Sequence, residues 1–388
     1  MREGREHGSG AGLGVRSEDS GTASAPLRVL FLHATRGEAP EYSGHRRLAA
    51  YADPRRISPY FVWQDAAVHR EAQERYRREG GAPAYAPERN RRIEFGRDLA
   101  REPRPSRVGR ALLMARHLPS GVLAVERWIR EIRPDALYTS QQVLDMRLAH
   151  LLSRRHRIPH ILQLSYPAGP WWGADCLRIL RACPRVIAVS DFVRQSAIDS
   201  GADPAAVHTV LSPADPERFD RPRDPSYLRR TFGFSERHQV VTAAGRLDPG
   251  KGYESLLRAF ARLGASHPDA RLLVCGATFT RDGYDRRLRD LADELGLGER
   301  VVFAGARRDM PEIYAGSDLF CLPTRNEAFG FVFTEAMTAG LPVVAARSGG
   351  VPEIVVDGET GLLAEVDDDR ALAEHLGSLL DDPERARR

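Results

Sequence analysis

Short β-branched and apolar runs recur along this chain, separated by longer stretches whose apolar residues fall at helical spacing. That alternation restricts the fold to repeated βα units on mostly parallel sheets. Two series of runs are visible. The first comprises residues 28–33, 136–139, 161–165 and 185–190, the last followed by a helical pattern over 191–200. The second is more regular, with runs at 239–244, 270–275, 300–304, 318–322 and 342–346 and helical patterns at 253–263 and 284–295. A chain of 388 residues is too long for one ordinary core, so an α/β architecture of two doubly wound domains is expected. Between the series, Pro213, Pro216, Pro222 and Pro225 disfavour both helix and central strand, which places the junction there. The expected division is an N-terminal tail over 1–26, a first domain over 27–215 and a second over 216–388.

Residues 1–25 are rich in Gly, Ser, Glu and Arg and read as a disordered lead-in, without an apolar stretch long enough for a signal-peptide core or a membrane span. Their glycines resemble a phosphate loop only superficially, because no strand precedes them. The net charge of +4 is too mild to distinguish nucleic acid, an anionic membrane surface or a phosphate-bearing substrate. Cys176, Cys183, Cys275 and Cys321 lack metal-ligand spacing and read as buried free thiols, which fits a reducing cytoplasm. Residues 69–110 are arginine-rich with interleaved glutamates. They read as a solvated insertion, or as a patch for an anionic acceptor or a lipid surface; sparse aromatics argue against a nucleic-acid platform.

The chemistry concentrates in two segments of the second half. In residues 326–337, Glu327 and Glu335 bracket a Phe-Gly step, with Glu327 expected in the loop leaving a strand and Glu335 near the start of a helix whose pattern begins at 334. Open α/β sheets bind ligands at the carboxyl ends of their strands, and a helix N-terminus suits a phosphate. Two hydroxyl-seeking carboxylates beside an anion site suggest a sugar nucleotide. The second segment, residues 245–252, follows the first strand of the second series and carries Arg246 and Lys251. Such cations can neutralise charge on a departing nucleoside diphosphate without a metal. Taken alone, this loop reads equally well as a solvent-exposed turn.

Together these segments resemble glycosyltransferase family 4, retaining enzymes of the GT-B fold with two Rossmann-like domains facing across a cleft. The likeness runs from about residue 27 to the C-terminus and rests on the E-x7-E arrangement of Glu327 and Glu335, on residues 245–252, and on the downstream segments 340–344, 348–353 and 357–361. By that resemblance Glu327 approaches donor-sugar hydroxyls, Phe329, Gly330 and Val332 lie along the sugar and diphosphate, and Glu335 binds the ribose. Arg246 and Lys251, with Gly245, are carried over to the diphosphate; Glu327, Arg246 and Lys251 are the catalytic set. The resemblance implies transfer of a sugar from a nucleotide diphosphate donor to an acceptor hydroxyl. UDP sugars are the favoured donors, GDP sugars the alternative, and no cofactor or metal is required. The implied partners are that donor and a small-molecule, glycan or lipid-linked acceptor, not nucleic acid, for a cytoplasmic protein with peripheral contact at the inner membrane face left open.

The first domain departs from the family pattern. Only Ser43-Gly44 occupies the place of a glycine-rich loop, with Gly44 able to let the backbone approach donor phosphates. The strand that in many members ends in a histidine reads Gln163-Leu164-Ser165-Tyr166, which puts Ser165 in its place and Tyr166 beside it. Serine can bond a sugar hydroxyl but supplies no imidazole chemistry. His33, His45, His150, His156 and His160 are candidate substitutes. The family's C-terminal helix also looks curtailed. Those departures keep two alternatives open: a pseudo-glycosyltransferase coupling non-sugar cyclitols, and a non-catalytic nucleotide-sugar-binding subunit.

Overall fold

The computed structural model describes residues 25–34, 44–45, 48–49, 51–64, 89–93, 107–212, 216–278 and 283–384, for 107–119 the backbone alone. The N-terminal glycines, most of the arginine-rich stretch and Ser43 lie outside the described residues.

The first half runs through β1 (Leu27–His33), β2 (Ile57–Gln64), β3 (Asn90–Ile93), α1 (Arg107–Ile132), β4 (Ala136–Ser140), α2 (Val143–His156), β5 (His160–Leu164), α3 (Ala174–Ala182), β6 (Arg185–Ala188), α4 (Asp191–Asp199) and β7 (Val207–Thr209). The second half follows with α5 (Pro225–Phe232), β8 (Gln239–Ala244), α6 (Tyr253–Arg262), β9 (Ala270–Cys275), α7 (Tyr284–Glu294), β10 (Val301–Gly305) and α8 (Met310–Gly316). It closes with β11 (Leu319–Leu322), α9 (Phe331–Thr338), β12 (Val343–Ala346), β13 (Gly361–Ala364) and α10 (Asp369–Asp381).

The strands form a seven-stranded sheet in the order β3-β2-β1-β4-β5-β6-β7 and a six-stranded sheet in the order β10-β9-β8-β11-β12-β13, every pair parallel. In each, the strand order reverses beside the first strand, between β1 and β4 and between β8 and β11, where a doubly wound sheet opens a crevice at its carboxyl edge. The expected runs at 239–244 and 270–275 coincide with β8 and β9, whose side chains are almost all buried because helices cover both faces.

Four strands escaped the sequence reading, each for a local reason. Pro59 lies inside β2, β3 is the polar edge strand Asn-Arg-Arg-Ile, β7 is three residues long, and β13 begins on a glycine. The chain has joined the second core by Phe219, which is buried there together with Leu228. One contact reverses the expected partition: Ala328 and Phe329, from the second half, are buried in the first domain's cluster with Leu162, Leu164, Trp172 and Val189. Phe329 thereby fastens the two domains at the level of the crevice.

Candidate active site

The two segments singled out above leave adjacent strands on either side of the second sheet's reversal. After β8 the chain turns through residues 245–252, where Asp248 accepts the Gly250 N–H at 3.0 Å and starts a single 3-10 turn over Pro249–Lys251. Gly252 ends that turn at φ +70°, and a Cβ there would stand 2.0 Å from the Pro323 carbonyl oxygen. Only glycine lets the two loops touch backbone to backbone. Arg325 reinforces the contact: its N–H donates to the Gly250 carbonyl at 2.8 Å, its guanidinium to the Pro249 carbonyl, and its Nε lies 2.8 Å from Asp367 Oδ1. The sequence reading passed over Arg325, although a second cation beside Glu327 was the available signal.

This docking brings Lys251 Nζ to 2.6 Å from Glu327 Oε2, with the side chains only 18% and 13% exposed. A charge-assisted bond so shielded is worth roughly 1.5–3 kcal/mol. Arg246 projects from the same loop, largely exposed, with Nη2 3.3 Å from Asp248 Oδ2.

The loop carrying Glu327 is gripped from behind. The Gly350 N–H donates to the Glu327 carbonyl at 2.8 Å, and a Cβ on Gly349, at φ +52°, would lie 2.0 Å from that same oxygen. From the first domain, Ser190 Oγ donates to the Ala328 carbonyl at 2.6 Å while accepting the Val193 N–H at 3.1 Å as cap of α4. Glu353 reaches back, its carboxylate accepting the Asp191 and Phe192 N–H groups at 2.6 and 2.8 Å. A carboxylate at that position satisfies orphan donors and the positive end of the helix dipole. Neither Ser190 nor Glu353 stood out in the sequence as a domain tie, because their partners lie more than a hundred residues away.

Helix α9 begins at Phe331 rather than at 334, because Gly330 adopts φ +102° as its cap; a Cβ there would come within 2.5 Å of the Phe333 ring. Glu335 therefore lies in the second turn, half-buried, and not at the helix start. Val332 packs on the second core.

Facing Glu327 is a cavity of about 180 Å³, to which the first domain contributes Gly44, Tyr138, Gln163, Ser165 and Tyr166 and the second Glu327, Phe329 and Gly330. Gln141 Oε1 accepts the Ser165 and Tyr166 N–H groups at 2.7 and 2.9 Å, which fixes the turn leaving β5. Tyr138 Oη donates to Gln163 Oε1 at 2.9 Å. Of the residues expected in the site, Gly44, Ser165, Tyr166, Glu327, Phe329 and Gly330 line this cavity. Lys251 reaches it through Glu327; Gly245, Arg246, Val332 and Glu335 do not line it.

The histidines sort by place. His45 adjoins Gly44, buried, with Nδ1 2.8 Å from His33 Nε2 and its ring edge-on to Tyr138 at 5.0 Å. His160 stands at the opposite, amino end of β5, bonded to Thr139 Oγ1 at 2.8 Å, and burial pushes its pKa down to about 3. His156 approaches the buried Glu126 at 3.7 Å. His150 lines a separate surface groove with Arg147, Arg154 and Arg178, and burial, with Arg154 beside it, lowers its pKa. The four cysteines are buried free thiols. Among the described residues no three His, Cys, Asp or Glu side chains gather to hold a metal ion, and no helix is long and apolar enough to cross a membrane.

Two parallel-sheet Rossmann-like domains meeting at a crevice with this carboxylate and lysine define the GT-B architecture. Two family models match successive parts of the chain, Glycosyltransferase Family 4 over residues 76–218 and Glycosyl transferases group 1 over residues 227–388. The chain belongs to glycosyltransferase family 4. It is 38% identical over 191 residues to D-inositol 3-phosphate glycosyltransferase of Corynebacterium glutamicum, covering 47% of this chain and 45% of that protein. It is 35% identical over 208 residues to the GDP-mannose-dependent alpha-(1-6)-phosphatidylinositol monomannoside mannosyltransferase of Mycolicibacterium smegmatis, covering 51% and 53%. The chain thus spans about half the length of the curated relatives it matches. Among solved structures, Anabaena HepE in complex with UDP and glucose is similar over 93% of this chain and 92% of its own, with a TM-score of 0.74 and 23% identity. A glycosyltransferase from Rickettsia africae gives a TM-score of 0.72 at 17% identity, over 93% and 91% of the two chains.

Proposed function

We propose that the protein is a retaining glycosyltransferase that moves a sugar from a nucleotide diphosphate donor to an acceptor hydroxyl. The observation that carries the reading is the shielded Lys251–Glu327 pair at the second sheet's switch point, facing a cavity walled by both domains. The donor diphosphate lies along residues 245–252, where Arg246 and Lys251 offset the charge that accumulates as the glycosidic bond breaks. Lys251 exchanges its contact with Glu327 for the phosphate, which frees the carboxylate for donor-sugar hydroxyls; Glu335, in the second turn of α9, takes the ribose. Retention follows from front-face displacement, in which the departing phosphate oxygen accepts the proton of the attacking hydroxyl. Ser165 bonds the sugar where other family members place a histidine. No metal enters this scheme.

UDP sugars come first as donors and GDP sugars second; the first fits the ligand named for HepE and the second the donor named for the mycobacterial relative. The test is release of nucleotide diphosphate from UDP-glucose and GDP-mannose by purified protein, with and without a cell-extract acceptor. Glu327→Ala is expected to lower turnover at least about tenfold while retaining the fold by circular dichroism. Near-normal transfer by that variant would sink the reading, whereas donor binding without hydrolysis or transfer would favour the binding-subunit alternative.

A further inference from the structure

The cavity facing Glu327 carries a signature of its own occupant. Its mouth gathers four large apolar side chains that are substantially exposed, Leu48 at 45%, Tyr166 at 43%, Val210 at 54% and Leu211 at 51%, and its walls continue as Ile187 and Val189. A contiguous exposed apolar patch on a folded protein marks a binding surface. The rim is held in place, since the Val210 N–H donates to the Ala188 carbonyl at 2.9 Å. Polar groups inside are few and uncharged except one. Gln163 has its carbonyl occupied by the Tyr138 hydroxyl, which leaves its amide N–H groups as donors for a ligand oxygen, and Ser165 and Ser212 offer hydroxyls. The single charged side chain among the described lining residues is the Glu327 carboxylate, already paired with Lys251 Nζ at 2.6 Å, so those residues offer a phosphate no cation of their own.

We infer that this cavity receives the acceptor and that the acceptor is an alcohol or phenol on an uncharged, apolar body, rather than a phosphorylated polyol. The inference rests on the transferase reading above. The apolar body fills the space between Ile187 and Leu211, and Gln163 orients the hydroxyl toward Glu327 and the donor phosphate. Burying the body supplies the affinity, and the lone amide sets the direction of the hydroxyl.

With UDP-glucose and GDP-mannose each supplied as donor, diphosphate release in the presence of a cell-extract acceptor, which takes the sugar, reports on the transferase reading by itself. Transfer is then compared among 4-methylumbelliferone, octyl β-glucoside below its micelle concentration, and inositol 1-phosphate. We expect kcat/KM for at least one apolar acceptor to exceed that for inositol 1-phosphate at least tenfold. Leu211→Asp and Val210→Asp, at exposed positions that keep the fold by thermal melt, are expected to raise KM for it at least tenfold. Transfer confined to inositol 1-phosphate overturns the inference. Calorimetric titration of 4-methylumbelliferone gives a readout that needs no donor turnover. Binding weakened at least tenfold by Leu211→Asp supports the inference, and no binding, or binding indifferent to both substitutions, overturns it. Absent diphosphate release defeats the transferase reading alone, and the titration still decides what the cavity binds.

Discussion

Lys251 Nζ stands 2.6 Å from Glu327 Oε2, joining two loops that leave neighbouring strands at the switch point of the second sheet. Removing either partner strands a shielded charge, whereas removing both does not. Lys251→Ala and Glu327→Ala are each expected to lower kcat by at least about tenfold, the loss of one charge-assisted contact worth roughly 1.5–3 kcal/mol. In a double-mutant cycle of urea unfolding, the double variant should lose less stability than the two singles summed. Strict additivity would show that the pair carries no coupling.

Glu353 ties the domains by capping α4 across the crevice, and Ser190 does so by bonding the Ala328 carbonyl next to Glu327. Glu353→Ala and Ser190→Ala are each expected to cost about 1–2 kcal/mol in denaturant unfolding, the usual worth of a helix cap. Both should also reduce turnover, because the Glu327 loop loses its opposing anchor. Glu353→Gln keeps an acceptor and should recover part of both losses.

Two glycines mark where backbone touches backbone behind the site. A methyl at residue 252 would meet the Pro323 carbonyl and one at 349 the Glu327 carbonyl, each at 2.0 Å. With positive φ at both, Gly252→Ala and Gly349→Ala are expected to destabilise by more than about 2 kcal/mol. Gly283→Ala, with comparable φ and open space around it, supplies the comparison. A melting temperature for Gly349→Ala equal to that of Gly283→Ala would contradict the close packing.

His160 carries a pH signature. Burial holds its folded pKa near 3, below the ordinary histidine value of 6.5, so the unfolded chain binds the extra proton first. Its stabilising contribution is full above about pH 6.5 and is lost as pH falls from there toward 3, by up to about 1.4 kcal/mol per pH unit. Urea midpoints measured at pH 7 and pH 5 should differ in that sense, and His160→Asn should flatten the dependence. An unchanged slope in the variant would assign the acid lability to other groups.

Much of the fold was legible because parallel strands buried on both faces announce themselves as apolar runs, as β8 and β9 do almost to the residue. The strands that escaped carry a proline, an edge or a glycine start, features that weaken a local pattern while neighbouring strands still supply the hydrogen bonds. The start of α9 was misplaced for a related reason: a left-handed glycine cap and a helix opening on Phe-Val-Phe look like strand until Gly330 is seen to turn the chain. In the site, Glu327, Lys251, Gly330 and Ser165 were identifiable from motif and position. Arg325, Ser190, Glu353 and the rim residues Val210 and Leu211 were not, since each acts on a partner distant in sequence or through exposure.

The amino-acid sequence by itself determined two series of βα units, the family, and which carboxylates and cations stand as candidates for a donor site, because these depend on periodicity and on residue types at fixed spacing. Only the tertiary structure decided that Phe329 is buried in the opposite domain, that Glu353 caps a helix across the crevice, and that the cavity facing Glu327 has an apolar rim. Those properties arise where two separately wound sheets approach each other, and spacing along one chain does not encode which surfaces will meet.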